Sequence, residues 1–92
     1  NIKILYVEDE QIIMENTKRP LEFLCDDLII ASNGKEGLEL YKQHSPNIVV
    51  SDIKMPIMNG IDMCRAIKEI NKNQHIIFTT AHSESSFHYE QL

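Results

Sequence analysis

Short apolar runs alternate with longer stretches of helical periodicity along this 92-residue chain. Ile2 to Val7 is apolar at nearly every position, which predicts a strand buried on both faces. Glu10 to about Leu24 carries Ile13, Thr17, Pro20, Leu21 and Leu24 on one stripe and predicts a first helix. Pro20 sits inside it and, lacking a donor, is expected to kink it or disturb its bonding. Asp26-Asp27 breaks the run, and Leu28 to Ala31 predicts a short second strand. Asn33-Gly34 is a turn signal before a helix from about Lys35 to His44, with Leu38 and Tyr41 inward. Ser45-Pro46 ends that helix, because proline disfavours a helical residue before it. Asn47 to Ser51 predicts a third strand and Ile53 to Asn59 a loop. Gly60 opens a third helix, with Met63, Cys64, Ile67 and Ile70 at helical spacing. His75 to Thr79 predicts a fourth strand and Thr80-Ala81-His82 its exit loop. Ser83 is suited to cap a fourth helix, with Phe87 and Leu92 inward. Tyr41 and Phe23 read as core.

Strands alternating with helices of this length predict an α/β fold with a parallel sheet and right-handed crossovers. Two of the strands stop abruptly at carboxylates: Ile4 to Val7 at Glu8-Asp9-Glu10, and Ile48 to Ser51 at Asp52. In an open parallel sheet the carboxyl ends of neighbouring strands share one edge, and ligands bind there. With these two strands adjacent, Glu8, Asp9 and Asp52 converge in one crevice. Three carboxylates so close repel one another, so they take up protons or hold a cation. A hard oxygen site of this size suits Mg²⁺, which keeps several waters and binds one or two carboxylates plus a phosphate. Phosphate chemistry on a metal is the expectation.

Composition narrows the field without changing it. A 42% apolar and 25% charged chain of this length is an ordinary single globular domain. The net charge of −5 and the scattering of nine basic residues exclude a nucleic-acid surface in this segment. No apolar run approaches the roughly 20 residues of a membrane span, and no signal peptide opens the chain. Cys25 and Cys64 lack metal-ligand spacing and read as reduced thiols, which places the protein in the cytoplasm. The chain opens on its first strand at Asn1, without an initiator Met, as expected of a piece of something longer.

Three segments together carry a family resemblance: Leu5-Tyr6-Val7-Glu8-Asp9, Asp52-Ile53-Lys54-Met55-Pro56-Ile57-Met58-Asn59-Gly60, and Phe78-Thr79-Thr80-Ala81. In order and spacing they resemble the receiver domain of two-component response regulators. Ala31-Ser32-Asn33-Gly34 with Glu36 and Leu38 is similar to that family's turn from second strand to helix. The resemblance spans residues 1–92 and implies a doubly wound, flavodoxin-like parallel sheet of strand order 2-1-3-4. It implies that Asp52 is the phosphoacceptor, attacking the phosphohistidine of a sensor histidine kinase to give an acyl phosphate. It also implies a Mg²⁺ site of Asp9, Glu8 (directly or through water), Asp52 and the backbone carbonyl of Lys54. Thr80 is implied to contact the phosphoryl oxygens, with the backbone N–H groups of Ile53 and Ala81. The side chains of Lys54 and His82 fall where the family varies and are implied to tune the lifetime of the acyl phosphate. The output is a conformational change acting on a C-terminal output domain or a downstream target, and the chain is no turnover enzyme.

The family pattern continues into a fifth strand ending in Lys-Pro and a fifth helix, both expected beyond Leu92. No lysine follows Lys72, so the family lysine beside the acceptor has no counterpart here. Two readings follow: a longer receiver of which these residues are part, or a chain that has been cut. A four-stranded remnant exposes an edge that invites a homodimer or exchange of elements. The competing function is a degenerate or truncated receiver that docks or dimerises without phosphorylation. A phosphatase with an Asp nucleophile of the haloacid-dehalogenase type needs a second Asp where Lys54 stands. A flavodoxin-type FMN site would place its phosphate against Glu8-Asp9-Glu10, which repel it.

Overall fold

The computed structural model describes residues 1–79 and the backbone of residues 87–89. Its elements are β1 (Lys3–Val7), α1 (Gln11–Leu24), β2 (Asp27–Ala31), α2 (Gly34–His44), β3 (Ile48–Asp52), α3 (Gly60–Ile70), β4 (His75–Thr79) and β5 (Phe87–Tyr89). They form one sheet of order β2-β1-β3-β4-β5. The first four strands are parallel, as the alternation of elements requires, and β5 runs antiparallel to β4.

Two apolar layers sandwich the sheet. Leu5, Val7, Val49, Ile76 and Phe78 pack against Tyr41 of α2 and Met63, Cys64 and Ile67 of α3. On the opposite face Ile4, Tyr6 and Val50 pack against Met14 and Leu21 of α1. Strand alternation explains the split, since residues two apart share a face. Gly37 lets α2 approach β1, because a Cβ there would fall 2.9 Å from Val7 and 2.7 Å from Met63.

Local chemistry sets the helix ends. The Asn33 side chain accepts from the Glu36 N–H at 2.9 Å, while Glu36 Oε1 accepts from the Ser32 N–H. This reciprocal arrangement satisfies two backbone donors at the start of α2. Asn59 caps α3 with a single bond, accepting from the Asp62 N–H at 2.8 Å. Ser45 closes α2 in the left-handed region (φ 47°) with its N–H donated to the Tyr41 carbonyl. α1 runs through Pro20 unbroken, yet no side chain caps its start.

Three expectations are corrected. Residues Phe87–Tyr89 are a strand, where a fourth helix was expected. β4 would otherwise present a row of unpaired backbone groups, and a returning segment satisfies them. Ser83 and Leu92, assigned to that helix, lie outside the described residues, as does the side chain of Phe87. Phe23, expected in the core, is 86% exposed. Its position two residues after the buried Leu21 turns it to the far side of α1. Leu24 and Ile70, at the ends of their helices, are also exposed.

Candidate metal centre

β1 and β3 are parallel neighbours, with Val7 paired to Ser51. The next residues along each strand are Glu8 and Asp52, which emerge side by side at the carboxyl edge. The β1–β2 ladder extends one step further, the Glu8 N–H donating to the Ala31 carbonyl at 3.0 Å. That bond fixes where the Glu8 side chain begins. One carboxylate oxygen each from Glu8, Asp9 and Asp52 lie within 4.8 Å of one another. The convergence expected from sequence is therefore present.

The three acids differ in setting. Glu8 is 2% exposed, Asp52 half-buried and Asp9 exposed. Glu8 Oε2 accepts from the Glu10 N–H at 3.2 Å, and Asp52 Oδ1 accepts from the Ile53 N–H at 2.8 Å. Glu8 Oε1 is buried without a hydrogen-bond partner. Burial, and then the charges of Asp52, Asp9 and Glu10, push the Glu8 carboxyl up to about 7 against the pull of the Glu10 N–H. A buried, unpartnered oxygen on a carboxylate with other acids nearby is satisfied by a proton or by a cation. The donor set is all oxygen and anionic, which suits a hard divalent ion such as Mg²⁺. The residues fit that ion.

Behind Asp52, the loop of residues 53–59 is pinned by two glycines. The Gly60 N–H donates to the Ile53 carbonyl at 2.7 Å, and a Cβ on Gly60 would fall 2.1 Å from the Asp52 carbonyl oxygen. The Gly34 N–H donates to the Met58 carbonyl at 3.0 Å, where a Cβ would come within 2.3 Å of that oxygen. Neither site tolerates a side chain without backbone movement. Between them Ile57 adopts φ 71°, a conformation that β-branched residues rarely take. The Lys54 side chain is exposed, directed outward as expected for its position two after Asp52.

Thr80 and Ala81, the other residues implied for the site, lie outside the described residues, as does His82. Two hydroxyls that the sequence reading passed over lie near the acids instead. Thr79 pairs in register with Asp52, and its buried Oγ1 has no partner. Tyr6 is fully buried, and its hydroxyl also lacks a partner. Burial first, and then the charges of Glu8 and Asp52, push the Tyr6 phenol up to about 12 despite Thr17 alongside. The available signal was the same parity of Tyr6 and Glu8 on one strand, a polar tip in an otherwise apolar run.

The family model of the response regulator receiver domain matches residues 4–92. The chain is 31% identical over 85 residues to response regulator MprA of Mycolicibacterium vanbaalenii, covering 92% of this chain and 37% of that protein. It is 35% identical over 79 residues to chemotaxis protein CheY of Halobacterium salinarum, covering 86% of this chain and 66% of that one. Among solved structures, a response regulator receiver domain protein from Clostridium thermocellum superposes with a TM-score of 0.80 at 35% identity. That match covers 91% of this chain and 68% of the other. The chain thus spans about a third to two thirds of the length of these curated relatives.

Proposed function

Because the chain belongs to the response regulator receiver domain family, we propose that Asp52 accepts a phosphoryl group from the phosphohistidine of a partner histidine kinase. An Asp52 carboxylate oxygen attacks phosphorus as the P–N bond to imidazole breaks; the nitrogen keeps the electron pair and is protonated. The product is an acyl phosphate on Asp52. Glu8, Asp9, Asp52 and the Lys54 carbonyl would hold Mg²⁺, Glu8 directly or through water. When bound, the ion offsets the charge that would keep a dianionic phosphoryl group away from three carboxylates. The Ile53 N–H, already donated to Asp52, keeps the acceptor oriented. Once Asp52 is modified, Thr80 and the backbone N–H groups of Ile53 and Ala81 donate to phosphoryl oxygens.

The observation that carries this reading is the convergence of the Glu8, Asp9 and Asp52 carboxylates at one strand edge, with Oε1 of Glu8 buried and unpartnered. Modification of Asp52 biases a conformational equilibrium that is read by a C-terminal output domain or a separate target protein. The reading places the protein in the cytoplasm with its kinase. Among the described residues no helix is long and apolar enough to cross a membrane.

Acetyl phosphate with Mg²⁺, followed by mass spectrometry of the intact protein, tests the proposal. One phosphoryl increment is expected, lost on chelation of the metal and in Asp52→Asn. Absence of modification, or its persistence in Asp52→Asn, overturns the reading and leaves phosphorylation-independent docking in its place.

A further inference from the structure

Three buried side-chain atoms among the described residues lack a hydrogen-bond partner: the hydroxyls of Tyr6 and Thr79 and Oε1 of Glu8. They share one region of the fold. Tyr6 and Glu8, two residues apart, project to the α1 side of the sheet, where Tyr6 packs with Val50. Asp52 lies two residues beyond Val50 on the same side, and the pairing of Asp52 with Thr79 adds the Thr79 side chain to that row. Glu8, Asp52 and Thr79 thus stand abreast on three adjacent strands, with Tyr6 one row below. The phenol is close enough to Glu8 and Asp52 for both carboxylates to disfavour its ionisation.

Packing alone does not call for a hydroxyl there. The neighbours of Tyr6 in this layer are Ile4, Met14, Leu21 and Val50, which an apolar ring would fit as well. Thr17 of α1 stands beside the phenol without reaching bonding geometry. Buried hydroxyls nearly always find a partner, and a carboxylate oxygen has two lone pairs to offer. Two orphaned donors beside one orphaned acceptor are complementary.

We propose that Tyr6 is a positioning residue of the cation site: its hydroxyl and that of Thr79 hold Glu8 Oε1, directly or through one enclosed water, in the orientation that meets the metal. This rests on the reading of Glu8 as a metal-site ligand. Partners of that kind fix the ligand's orientation, and removing one typically costs 10–100-fold in metal affinity.

Calorimetric titration of Mg²⁺ into the protein and its variants tests the assignment. Tyr6→Phe keeps the ring and is expected to weaken Mg²⁺ about tenfold. In a Glu8→Asp background the shorter carboxylate draws back from the phenol, and the same substitution is expected to have no further effect. Equal loss in both backgrounds means a merely structural role and overturns the proposal, as does unchanged affinity in Tyr6→Phe. Thr79→Val, expected to weaken Mg²⁺ several-fold, carries the test should Tyr6→Phe not fold; unchanged affinity there overturns the proposal in that case. Mg²⁺ uptake by the parent with no response to either substitution removes this inference alone. No uptake by the parent removes the cation reading as well.

Discussion

Glu8 is the residue on which stability and function pull in opposite directions. Its carboxyl titrates at about 7 in the folded, metal-free chain, above its ordinary 4.5, because burial and three neighbouring acids disfavour the charge. A folded-state value raised in this way means that the native state holds a proton that the unfolded chain has released. Stability is therefore greatest below pH 4.5 as far as this group is concerned, and falls as pH rises towards 7. The loss is on the order of 1–3 kcal/mol. Urea unfolding in chelator at pH 5 and pH 8 checks it, and Glu8→Gln is expected to flatten the dependence. Mg²⁺ competes with that proton, so it should raise the melting temperature more at pH 8 than at pH 5. Ile57 is the other residue under tension, with φ 71° and 77% of its surface exposed. Ile57→Gly relieves the backbone at little loss of packing and is expected to stabilise by about 1 kcal/mol. The urea midpoint should rise with an unchanged slope.

At the scale of elements, helix starts and strand ends were legible, and solitary side chains were not. Asn33-Gly34 and Gly60 announced the starts of α2 and α3, and Asn33 and Asn59 cap them as their chemistry dictates. Asn33→Ala or Asn59→Ala should each cost about 1 kcal/mol, measured by denaturant unfolding. Phe23 was misread because helical periodicity fixes a stripe but not how far the stripe stays against the sheet. Leu21 is the last residue of α1 that does. Gly34 acts beyond its own helix, since its N–H ties α2 to Met58 in the loop behind Asp52. Gly34→Ala forces a Cβ into that carbonyl, which should cost about 2 kcal/mol. A parallel fall in Mg²⁺ uptake is expected, because the displaced loop carries the Lys54 carbonyl.

For the molecule as a whole, the order of the first four strands was implied by the family resemblance, and their parallel alternation was readable because each apolar run ends in turn chemistry and each helix is long enough to cross over. The convergence of Glu8, Asp9 and Asp52 was readable for the same reason: adjacent parallel strands bring their carboxyl ends to one edge. The final segment was not, because Ser83 offers a local capping signal whereas β5 arises from pairing along β4, a non-local term that no window of sequence contains. The orphaned hydroxyls of Tyr6 and Thr79 escaped for a related reason. Their meaning depends on cross-strand register, not on spacing along the chain.

The bond between Gly34 and Met58 has a practical use. An amide sealed by a single carbonyl from another segment exchanges with solvent only when that segment lifts away. The Gly34 proton is thus a built-in gauge of the acceptor loop, sitting on a different helix and touching none of the acids. Its deuterium uptake should slow on addition of Mg²⁺, which the loop carrying the Lys54 carbonyl would help hold, and change again when Asp52 is loaded. Nuclear magnetic resonance could follow both events through one signal.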